Sequence, residues 1–173
     1  MDNLFIRTAR RLALRRHAGR TATSIRPLSA IRSAVVLFSA SSPGDLSLAG
    51  EIRGFFASKS VECHVFALNT GEEPLSAEGV QVIGRKGLNW FGRVRRNRRT
   101  PSLQCGEDLF VSLVHSVEFA AVYAARCSNA LFKVGCDTSC KDVFDLMVTA
   151  PEGVECTQKM IFGTIVYMLE KIR

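Results

Sequence analysis

Residues 107–150 read EDLFVSLVHSVEFAAVYAARCSNALFKVGCDTSCKDVFDLMVTA, and the order of apolar runs and polar breaks in them decides the fold. Three short runs, over 109–114, 131–134 and 144–148, carry Leu109, Phe110, Val111, Leu113, Leu131, Phe132, Val134, Leu146, Met147 and Val148. Runs this short, closed by Gly, Asp, Ser and Asn, suit strands covered on both faces better than half-exposed ones. A helix is expected between the first two, over 117–127. The link from Val134 to Phe144 is short and contains Gly135 and Asp137, so a hairpin is expected there. One strand near the edge would then run antiparallel to its neighbours.

The pattern repeats upstream. Residues 34–38 form a buried-type strand, and Ser42-Pro43-Gly44-Asp45 then opens a helix. Ser42 can cap it, Pro43 suits its first position, and Asp45 complements its positive end. Leu48, Ala49, Ile52, Phe55 and Phe56 form the packing face of that helix, and 61–68 returns as a strand. A short strand is expected over 80–83. At the carboxyl end, Thr157 can cap a last helix that turns Met160, Ile161, Ile165, Met168, Leu169 and Ile172 to the core. The expectation is one α/β domain over 33–173: a three-layer arrangement whose mixed, mainly parallel sheet of five to six strands is flanked by helices. Residues 1–32 precede it as a basic amino-terminal helix (1–16) and a linker (20–32).

At 173 residues the chain is long enough for one substantial core. No stretch reaches the roughly 18 consecutive apolar residues that a membrane span needs. The six cysteines, Cys63, Cys105, Cys127, Cys136, Cys140 and Cys156, lie mostly in or beside strands and helices. No export signal precedes them, so buried, reduced thiols in a cytoplasmic protein are expected.

Charge is the unusual property. The net charge of +7 divides unevenly. Residues 1–32 hold eight arginines against Asp2, a net of +7, and residues 85–99 hold seven basic residues and no acid, again +7. The remainder is therefore at −7, an acidic body with two basic attachments, which points to contact with a polyanion. In the first segment Arg7, Arg10, Arg11 and Arg15 oppose an apolar side of Phe5, Ile6, Ala9, Leu12 and Ala13. That segment reads as a helix packed on the domain, as an RNA-binding arm, or as a transit-type peptide. The second segment lies in some 20 residues without regular pattern and interleaves Trp90 and Phe91 with Arg85, Lys86, Arg93, Arg95, Arg96, Arg98 and Arg99. Guanidinium groups grip phosphates with two hydrogen bonds, and an aromatic ring can stack on an unpaired base. The bland alternative has the rings anchoring the loop and the arginines solvated.

No constellation is catalytic. Asp108 and His115 sit at opposite ends of one strand, and no serine lies in a nucleophile elbow. Cys136-x3-Cys140 has neither zinc-knuckle spacing nor a second pair, so no metal is expected, and no cofactor either. Lys133 with Asp142 and Asp145 reads as a cross-strand surface ion pair. Ser39, Ser41 and Ser42 at the end of the first strand, with His115, could line a phosphate or small-molecule site at the carboxyl edge of the sheet, although the turn matches no nucleotide fingerprint. Two functions remain: RNA association, the ribosome included, with an anionic membrane surface as competitor, or a small-molecule enzyme or sensor.

Asn89-Trp90 after a short strand, the run 128–135 (SNALFKVG) and the run 144–148 (FDLMV) together resemble a bacterial family of small proteins of about this length, classified as a domain of unknown function. The likeness runs from about Ile31 to the end. It implies that family's fold and a bacterial cytoplasmic setting, and it carries no residue roles.

Overall fold

A computed structural model describes residues 8, 10, 12, 23–88, 107–114, 119–136, 142–149 and 156–172. Strand β1 (Ser33–Ala40) is followed by a 3-10 turn (Pro43–Ser47) and helix α1 (Leu48–Ser58). Strands β2 (Glu62–Asn69) and β3 (Val80–Ile83) come next, then β4 (Leu109–Ser112), α2 (Phe119–Cys127), β5 (Phe132–Gly135), β6 (Leu146–Met147) and α3 (Gln158–Lys171). The sheet order is β3-β2-β1-β4-β5-β6 and the pairings between these strands are all parallel. From the centre, β1-β2-β3 winds one way and β4-β5-β6 the other. Crossovers of one hand must then use opposite faces, and they do.

Val36, Phe38, Val65, Val111, Phe132 and Val134 point to one face, where α1 and α3 cover them. The alternate residues Val35, Leu37, Phe66 and Phe110 point to the other, under the alanines of α2. Burial on both faces explains the unbroken apolar runs. Phe55 joins the two helices of the first layer, edge-on to Phe162 at 6.0 Å.

The expected antiparallel strand is a correction. β6 runs parallel to β5, with Val134 opposite Leu146 and Gly135 opposite Met147. The strands are so short that residues 136–145 suffice to return to the starting edge, since ten residues span up to about 33 Å. Just before β6, Val143 and Phe144 pack against the cluster on the α2 face. Its Phe144 ring lies flat on Gly135, and a Cβ there would sit 2.5 Å from the ring. Asp145 then donates its N–H to the Lys133 carbonyl and Val148 donates to the Gly135 carbonyl, each at 2.9 Å.

The expected Lys133 ion pair is replaced too. Lys133 is 6 % exposed, and its Nζ donates to the Ala125 carbonyl at 3.1 Å near the end of α2. A cation there meets the negative end of the helix. Asp145 accepts the Lys133 backbone N–H at 2.8 Å, and Asp142 pairs with Arg126 at 2.5 Å.

The segment expected as a linker is tied to the domain. Ile31 is 1 % exposed within the core, the Ser24 N–H donates to the Leu131 carbonyl at 2.9 Å, and the Thr23 hydroxyl donates to Asp145 at 2.5 Å. Of the basic helix expected over 1–16, Thr8, Arg10 and Leu12 are helical and the rest lies outside the described residues. No helix among the described residues is long and apolar enough to cross a membrane.

Candidate functional site

The carboxyl edge of the sheet is shaped by the divergence of β1 from β4. Pairing between them reaches Leu37 opposite Ser112, with one further bond from the Leu113 N–H to the Leu37 carbonyl. In a parallel strand alternate residues address alternate neighbours. The N–H and carbonyl of Ser39 therefore face the side that β4 has left. Gln158, in the first turn of α3, fills that slot. Its Oε1 accepts the Ser39 N–H and its Nε2 donates to the Ser39 carbonyl, both at 2.8 Å, while the Ser39 hydroxyl donates to Oε1 at 3.2 Å. A side-chain amide stands in for one peptide unit of a missing strand. Thr157 caps α3 by accepting the Met160 N–H, as the sequence implies.

The turn after β1 is closed on itself. Oδ2 of Asp45 accepts the Ser41 N–H at 2.8 Å, the Ser42 N–H at 2.9 Å and the Ser41 hydroxyl at 3.0 Å. The Ser41 N–H, with the other donors behind it, holds the Asp45 carboxyl below the usual carboxylate range, against the opposing effect of its partial burial. The two amides that a phosphate at this turn would use are thus taken by the chain's own carboxylate.

Between this turn and α3 opens a cleft of about 890 Å3. Leu48, Val148, Ile161 and the buried Cys136 supply its apolar lining, and Cys156 lies at its wall. Cys136 donates its thiol proton weakly to the Ser112 carbonyl at 3.6 Å. At the rim, Lys159 pairs with Glu51 at 2.5 Å. Among the described residues no three His, Cys, Asp or Glu side chains gather as a metal site, and Cys140 of the Cys136-x3-Cys140 pair lies outside them.

Replacing Asp45 by Ala should cost about 1–2 kcal/mol at neutral pH, the usual range for a lost helix-start acceptor of charged type. Because the folded-state value is depressed, that contribution is fully present above the unfolded carboxyl value of about 3.9. It fades as pH falls through the lower folded value. Urea melts of the wild type and the variant should therefore draw together as pH falls below the ordinary carboxylate range. A gap that stays constant down to pH 2 refutes the assignment.

Of the residues singled out for ligand binding, Ser39, Ser41 and Ser42 come together at this edge, and His115 lies outside the described residues. Gln158, Glu51 and Lys159 were not anticipated. The only sequence signal for them was the Thr157 cap, which puts residues 158 and 159 in a first helical turn. Among the basic residues, Arg10 and Lys86 are described, as is the backbone of Arg85 in a short 3-10 turn after β3. Arg7, Arg11, Arg15, Trp90, Arg93, Arg95, Arg96, Arg98 and Arg99 lie outside the described residues. The Arg10 guanidinium sits 5.1 Å from the centre of the Phe119 ring, at the start of α2. Leu88, where the description stops before residue 107, packs against the cluster beneath α2. Lys86 is exposed.

The model of one protein family, described as a Family of unknown function (DUF6913), matches residues 7–159. The match begins inside the first basic segment, earlier than the likeness expected from about Ile31, and it ends just after Gln158. No curated protein and no solved structure matches the chain.

Proposed function

We propose that this chain, which belongs to that family of unknown function, is a non-enzymatic, cytoplasmic RNA-associated protein that binds through its two arginine-rich segments, the ribosome being one partner of this kind. The observation that carries the proposal is charge segregation. Fifteen of 23 basic residues occupy residues 1–32 and 85–99, 14 of the 15 are arginine, and the rest of the chain is at −7. Solubility alone asks for no such concentration, and arginine favours paired hydrogen bonds to phosphate.

Two contacts support a shared surface. Arg10 lies against Phe119 of α2, and Leu88 enters the cluster on the same side of the sheet. On the helices of the other layer Lys59 is paired to Glu170 and Lys159 to Glu51. A polyanion is therefore expected on the α2 side.

The test is binding to a single-stranded RNA oligonucleotide by fluorescence anisotropy over a range of salt. The logarithm of the affinity should fall with the logarithm of salt by about 0.7 per phosphate contacted. Replacing Arg93, Arg95, Arg96, Arg98 and Arg99 together by Ala should flatten that slope by about 3.5 if each meets one phosphate. Trp90→Ala should weaken binding by about 1–3 kcal/mol with the slope unchanged, the pattern of a lost stacking contact. Binding to anionic vesicles with none to RNA at low salt would transfer the segments to a membrane surface and end the proposal.

A further inference from the structure

We infer that the carboxyl-edge cleft is a second, independent site, built for a small organic cation: an ammonium or guanidinium group on an apolar body. Position comes first. Open α/β sheets bind ligands outside the carboxyl ends of their strands, where the direction of winding reverses. Here it reverses between β1 and β4, where Gln158 fills the slot, and beside it, between the β1 turn and α3, lies a cleft of about 890 Å3, a size suited to a small molecule.

The polar groups then select the ligand by what they leave unused. In many proteins of this layout an anion lies on the turn after the first strand, but here the Ser41 and Ser42 amides are bound to Asp45. The Ser39 N–H is bound to Gln158, and the Lys159 ammonium to Glu51. The three backbone donors are committed inside the chain, and the charge of the Lys159 ammonium is compensated by Glu51. What stays open is acceptor capacity. The Asp45 carboxylate is kept charged and fixed in direction by three donors on Oδ2 and by the neighbouring Ser42 hydroxyl, and a carboxylate's two oxygens have lone pairs beyond these bonds. Asp45 and Glu51 against Lys159 leave the described lining at −1, within a body that is itself acidic. Leu48, Val148 and Ile161 offer an apolar surface to the rest of the ligand. A carboxylate held rigid above apolar side chains pairs with a cation at little entropic cost, because its own side chain is already ordered.

The full-length protein should be titrated calorimetrically with benzylamine and agmatine, with benzyl alcohol as neutral isostere, and with AMP and inorganic phosphate as anions. At least one of the two cations should bind with one-to-one stoichiometry, while the alcohol and both anions do not. Asp45→Asn, checked by its melting temperature to remain folded, should weaken the cation at least tenfold. Glu51→Gln leaves the β1 turn intact and should weaken it in the same direction. The five-arginine variant that tests RNA binding should bind the cation like the wild type, so the two proposals fail separately. Binding of AMP or phosphate in preference, binding of no probe, or cation binding unaltered in both carboxylate variants would each overturn the inference.

Discussion

Phe38→Ala should cost the protein about 3–5 kcal/mol, the range for truncating a buried aromatic ring. Phe38 lies on the central strand β1, is 0 % exposed, and belongs to the cluster that β1 shares with α1 and α3. No partner of that ring can collapse into the void without leaving its own strand or helix, so the residual cavity adds to the lost transfer energy. Against a typical total of about 5–15 kcal/mol the loss is severe. A chain of this size should melt roughly 6–20 °C lower. Met160, expected from the sequence to face the core, is instead 51 % exposed on α3, so Met160→Ala is the natural control and should change stability by no more than about 0.5 kcal/mol. Equal effects from the two substitutions, read by thermal and urea unfolding, would mean that the β1 face is not buried as described.

The second large effect belongs to Gly135. A Cβ there would meet the Phe144 ring at 2.5–2.6 Å, so Gly135→Val should cost about 1–3 kcal/mol from overpacking. The ring can escape only by abandoning the α2-face cluster. It would then loosen the return to β6, which pairs with β5 through only two residue pairs. The diagnostic is non-additivity. In a Phe144→Ala background the same Gly135→Val change should cost clearly less, with a coupling of about 0.5–3 kcal/mol. Simple addition of the two effects would show that the ring does not rest on Gly135. The return matters to function because β6 leads on to α3, whose first turn carries Gln158 into the slot beside Ser39.

Sequence pattern determined the layers of this protein. Unbroken apolar strands such as AVVLF in β1 specify burial on both faces, and burial on both faces requires helices above and below. Capping chemistry was equally readable at Ser42, Asp45 and Thr157, because a cap satisfies donors within three or four residues of itself. What the sequence could not determine was the direction of β6. The same short link fits a hairpin or a short parallel return, and the choice rests on whether Phe144 can lie on Gly135 in three dimensions. The partner of Lys133 was out of reach for the same reason, since the Ala125 carbonyl becomes available only once α2 ends above β5. At the candidate site, Ser39 and Gln158 stand 119 residues apart and meet because β4 turns away from β1, leaving one peptide's hydrogen bonds to be satisfied. Local rules reach about one helical turn along the chain. The cleft is made of residues from four separate segments, so only the packed sheet could bring its carboxylates and its apolar lining together.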